Sequence, residues 1–139
     1  MAHRLLTAFA AVLVFSAPAL AGETPSPAGA KVYFISPSDG ATVDSPVTVQ
    51  FGLKGMGVAP AGTEKEKTGH HHLIINAELP SMDDPIPADD NYRHFGGGQT
   101  EVSVELPAGT HTLQLLLGDQ NHIPHDPPVM SERITITVQ

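Results

Sequence analysis

The chain has 139 residues, a one-domain length, with 13 glycines, 13 prolines, no cysteine and a formal net charge of −8. The acidic balance argues against nucleic acid and anionic lipid as partners and mildly favours cations. The lack of cysteine removes disulfides, thiolate nucleophiles, cysteine-bound zinc and a lipidated cysteine, so the domain must rest on its core unless a metal helps.

Taken in order, the chain opens with His3-Arg4, the apolar run Leu5 to Phe15 and the small-x-small triplet Ala19-Leu20-Ala21. These read as a secretory leader over residues 1–21, cut near Ala21, which would place the product in the periplasm or outside the cell. No later segment approaches the roughly 18 to 20 apolar residues of a spanning helix, so no membrane span is expected. Residues 22–30 are rich in Pro, Gly, Ser and Thr and read as a flexible N-terminal segment before a domain over 31–139.

Lys31 to Ser36 is a β-branched and aromatic strand, ended by the turn sequence Pro37-Ser38-Asp39-Gly40. Pro46 to Leu53 alternates, with Val47, Val49, Phe51 and Leu53 on one face. A loop with the mixed-charge run Glu64-Lys65-Glu66-Lys67 then leads into Gly69-His70-His71-His72-Leu73-Ile74-Ile75. On a strand, His70 and His72 share one face while His71 shares the other with Leu73 and Ile75. Leu79 to Gly98 is a polar connection too long to be structureless in a compact domain, so a short edge strand or a lid is expected there. Thr100 to Leu106 alternates, Pro107-Ala108-Gly109 turns, and Thr110 to Gly118 puts His111, Leu113, Leu115 and Leu117 in one phase. Asp119 to Val129 is a Pro-rich loop. Met130 to Val138 closes the chain as a strand with Ile134, Ile136 and Val138 on one face.

Six strands, a seventh if the long connection holds one, and turns at regular spacing predict an all-β, immunoglobulin-like antiparallel sandwich of about seven strands, with a small Greek-key barrel as its rival. In that order the histidines sort by end. His70 and His72, His94 before the following strand, and His122 and His125 in the Pro-rich loop all fall at one end, while His111 begins its strand at the other. Clustered imidazoles repel when protonated and gain nothing when neutral, so five from three segments point to a metal that holds them. The expected ligands are therefore His70, His72, His94, His122 and His125. His71, Asp119, Gln99 and Glu101 are expected to support them from behind. His111 is expected at a corner like the tyrosine corner of such sandwiches, bonded to nearby backbone, and Asn76 as an ordinary strand residue. The triplet Gly96-Gly97-Gly98 has no following helix to bind phosphate, so it reads as a flexible loop that delivers His94 and Gln99. The aspartates at 83–84 and 89–90 match no EF-hand spacing and read as solvated linker.

From Gly69 onward the motifs Gly69-His70-His71-His72-Leu73, His94-Phe95-Gly96 with Gly98-Gln99-Thr100-Glu101, His111-Thr112-Leu113-Gln114-Leu115, Gly118-Asp119 with His122, and Ser131-Glu132 resemble a known family. It comprises small exported bacterial proteins carrying the domain of unknown function 4399. A lysine often stands in that family where this chain has Gly97. The resemblance implies no activity, which must come from the site itself. Ser36-Pro37-Ser38-Asp39-Gly40-Ala41 and Val47-Thr48-Val49-Gln50-Phe51 also look like the opening of periplasmic copper carriers of the CopC kind. Those begin with a ligand histidine and this chain, once cut, begins Gly22-Glu23, so that likeness implies the fold alone.

The chemistry expected is a periplasmic protein that holds copper or zinc through imidazoles, with the metal ion and another periplasmic protein as partners. Two other readings use the same loops: recognition of a protein, glycan or small ligand, and a metal-dependent enzyme with a metal-bound water and Asp119 or Glu101 as base.

Overall fold

A computed structural model describes residues 24–139. The expected leader over 1–21 and its cleavage near Ala21 lie outside the described residues. Within them the chain is all-β: β1 Lys31–Ser36, β2 Thr42–Val43, β3 Val47–Lys54, β4 Gly57–Val58, β5 Thr68–Ile75, β6 Tyr92–His94, β7 Glu101–Val104, β8 Gly109–Gly118 and β9 Ile134–Val138. One sheet runs β1-β3-β7; the other runs β2-β9-β8-β5-β4, with β6 also on β5. The pairing is antiparallel except where β2 meets β9 and β4 meets β5. The two sheets make the sandwich expected from the alternating strands. Among the described residues the strands number nine, because β2 and β4 are two-residue pieces that propensity does not reveal and β6 is the edge strand inside the long connection.

The main core lies between the sheets. Val47, Val49 and Phe51 of β3 face Leu73 and Ile75 of β5, Leu113, Leu115 and Leu117 of β8, and Ile134, Ile136 and Val138 of β9. Leu53, in the same phase, is only partly buried where β3 leaves the core. A second, smaller core sits on the outer face of the larger sheet, where Ile74 and Leu116 are covered by Ile86. The segment that carries Ile86 is therefore a flap as well as the approach to an edge strand. Covered on both faces, β5 is buried from Gly69 to Ile75. That cover is what makes an outward-facing histidine on β5 a buried one.

The chain before β1 departs from expectation. Residues 24–26 are strapped along the Pro-rich loop: Ser26 N donates to Asp126 O at 3.0 Å, Asp126 N donates to Thr24 O at 3.0 Å, and Pro25 bridges Asp126. A polar, Pro-rich composition suggests a tether only while no edge is available to receive it.

Candidate metal centre

The period-2 phase of β5 places His70 and His72 on the outer face of the larger sheet, with His71 pointing into the sandwich. β6 pairs β5 in register His72↔His94, which sets His94 beside His72 on that face. His122 comes from the loop after β8, beyond Gly118, the residue opposite His70. Its backbone is held from two sides: His122 N donates to Asp119 O at 2.9 Å, and Ile86 N of the flap donates to His122 O at 2.8 Å. His122 also has φ +67, a left-handed conformation few non-glycine residues adopt, so the loop holds this side chain at some backbone cost.

The four rings converge. Ring centroids stand 4.8 Å apart for His70–His72, 5.0 Å for His70–His94, 5.1 Å for His70–His122, 5.1 Å for His72–His94, 4.6 Å for His94–His122 and 6.2 Å for His72–His122. An imidazole bonded to an ion at about 2.0–2.1 Å has its centroid about 3.2 Å from that ion. The six separations define one point about 3.2 Å from all four centroids. The nitrogens of His70, His94 and His122 lie within 4.8 Å of one another and could hold a metal ion. His72 stands outside that tighter group, yet its Nε2 is 3.0 Å from His70 Nε2. Two nitrogens on one ion at right angles would be about 2.9 Å apart. At that separation one of these rings donates its N–H to the other.

Two glycines make the room. A Cβ on Gly118 would lie 2.9 Å from His72 Nε2, and one on Gly96 would lie 2.6 Å from His94 Nε2. Neither position tolerates a side chain while the rings stay where they are.

Burial and mutual repulsion disfavour protonation of His70, His72 and His94. Burial first, then the His94 and His122 charges, lowers the His70 pKa to about 4, against a smaller raising effect of Asp119. Burial and the neighbouring imidazoles lower His72 to about 3. His94 is lowered by burial and by His122. Neutral imidazoles with free lone pairs are the form that binds a metal.

The other expected residues fall elsewhere. His125 is not brought to the cluster. Its Nε2 donates to Thr68 O at 3.1 Å, and its Cε1 would be 2.9 Å from a Cβ on Gly69, a residue in the inward phase of β5. The loop therefore passes His122 to one side of the sheet and His125 to the other. His71 is a core residue, fully buried with its ring 5.0 Å from Phe51 and neither nitrogen bonded. Asp119 does not hold an imidazole; Oδ1 accepts from Asn121 N at 2.8 Å and Ile123 N at 3.0 Å, and Oδ2 accepts from Thr24 Oγ1 at 2.7 Å. It shapes the loop that presents His122. Gln99 accepts from Gly97 N at 2.9 Å within its own exposed turn. Glu101 lies on β7 of the other sheet and accepts from Gln50 Nε2 at 2.6 Å. At the corner, His111 Nε2 donates to Pro107 O at 2.8 Å as expected, but its Nδ1 accepts from Asn76 Nδ2 at 2.8 Å, so Asn76 is a corner residue too.

Sequence reasoning missed Thr24, Gly96 and Gly118. The signal for the last two was present, since each glycine stands where an imidazole must pass close to backbone. Comparison with known proteins gives one family: the profile described as Domain of unknown function (DUF4399) matches residues 49–139. No curated protein and no solved structure matches the chain.

Proposed function

From its membership of the DUF4399 family, whose name carries no activity, and from its histidine cluster, we propose that this chain is an exported protein that binds one transition metal ion, copper or zinc. The ligands are His70, His94 and His122, with His72 as the fourth imidazole. The observation that carries this reading is that four imidazole rings drawn from three separate parts of the chain share a centre about 3.2 Å from each ring, the distance a metal–imidazole bond sets, with the nitrogens of three of them within 4.8 Å of one another. An all-imidazole set suits both metals, and Cu(II) heads the affinity order for nitrogen ligands. The low pKa values of His70 and His72 keep those two ligands free of protons well below the ordinary histidine range. Export rests on the leader-like residues 1–21.

The test is calorimetric titration of residues 22–139, without a tag, with Cu(II) and with Zn(II) at neutral pH. The expected result is one ion per chain, bound about 100-fold or more tighter than by a His70→Ala, His72→Ala variant shown to be folded. Equal binding by the two proteins, or the absence of one-to-one binding, would defeat the proposal.

A further inference from the structure

The four imidazoles do not surround their common centre evenly. Five of the six centroid separations, from 4.6 to 5.1 Å, subtend about 90–105° at that centre, and the sixth, 6.2 Å between His72 and His122, subtends about 150°. A regular tetrahedron has no such opened edge. The nitrogens agree, since His70, His94 and His122 form the tight group while His72 leans on His70 Nε2 at 3.0 Å. The gap is thus on the His122 side of His72.

Among the described residues, the carboxylate that acts on the cluster is engaged elsewhere and does not fill that gap. Asp119 is the carboxylate whose charge reaches His70, and both of its oxygens are occupied, by Asn121 N and Ile123 N on one side and Thr24 on the other. The cluster reaches the surface through His94, which is exposed, and His122, which is half-buried, while His70 and His72 are fully covered. Charge selects the occupant: four neutral imidazoles leave a divalent ion with its full double charge at a partly buried site, which favours an anion.

Resting on the proposed metal reading, we infer that the bound ion keeps an exchangeable coordination position on the His72–His122 edge, occupied by water and open to small monodentate anions. In the exchange the anion donates a lone pair to the metal and water leaves; no other bond changes. A single-site metal store would need no such position, whereas a site that delivers its ion or activates a small ligand would.

The experiment loads the protein with one equivalent of Cu(II), confirms retention after dialysis by metal analysis, and titrates sodium azide at constant ionic strength. Absorption and electron paramagnetic resonance are followed together. The inference expects a new azide-to-copper charge-transfer band that saturates at one azide per copper, with the resonance shifting in step and the copper retained. An unchanged spectrum at about 1,000-fold azide excess with copper still bound overturns the inference and leaves the metal site standing. Copper stripped by azide also overturns it. Failure to retain copper at the first step also overturns the inference, and failure to retain zinc as well defeats the metal reading itself.

Discussion

His71 and His72 are adjacent in the chain and have opposite surroundings, one in the apolar core against Phe51 and the other among imidazoles on the outer face. Among the described residues neither nitrogen of His71 has a partner, so its N–H is desolvated without return. His71→Leu should therefore leave stability equal or raise it by about 1 kcal/mol, and leave metal affinity within about threefold of the parent. Chemical denaturation and metal titration of one preparation check both; a lost metal site would contradict the assigned face. His125→Ala should likewise spare metal binding, whereas His122→Ala should weaken it by about 100-fold. The same burial makes stability pH-dependent. His70 and His71 have pKa values lowered to about 4 and His72 to about 3, so below about 6.5 the unfolded chain takes up protons that the folded protein refuses. Without metal, the contribution of these groups is full above that value and declines as the pH falls toward 4 and then 3. Urea midpoints from pH 7.5 down to 5 should therefore fall, and a flat or rising series would contradict the burial assigned to these rings.

At the scale of elements, the site depends on how closely β5, β6 and the loop after β8 approach one another. Gly118→Ala would put a methyl group 2.9 Å from His72 Nε2, so the ring must swing away from its neighbours. The variant should fold with a melting temperature near that of the parent and bind metal about tenfold or more weakly. An unchanged affinity would mean that His72 is not held where the structure places it. The alternation of Val47-Val49-Phe51 and Leu113-Leu115-Leu117 made the two sheets legible in the sequence, and the same period assigned His70 and His72 to one face. What the period could not show is what covers that face. Ile86 is one apolar residue in a polar connection, with no repeat to mark it, yet it closes the outer core over Ile74 and Leu116. His70 and His72, expected on a strand face at one end of the sandwich, consequently lie on a covered sheet face. Nor could spacing separate His122 from His125, since their sides are decided by a turn built on Asp119 and by the contact of His125 with Gly69.

Across the whole molecule, a metal at this centre would tie together His70 and His72 of a central strand, His94 of an edge strand and His122 of a loop that the N-terminal strap braces through Thr24. An ion bound only by the folded chain at about 100 times its dissociation constant adds about 2.7 kcal/mol, which for a domain of this size is a rise of about 10 °C in melting temperature. The acidic surface, at a net charge of −8, favours the approach of a cation. The most direct measurement of the central claim is X-ray absorption on the protein loaded with one equivalent of zinc. Convergence of the four rings predicts three or four imidazole nitrogens at about 2.0 Å, with outer-shell scattering from the ring carbons. A first shell made mainly of water or carboxylate oxygen, with fewer than two imidazoles, would contradict it.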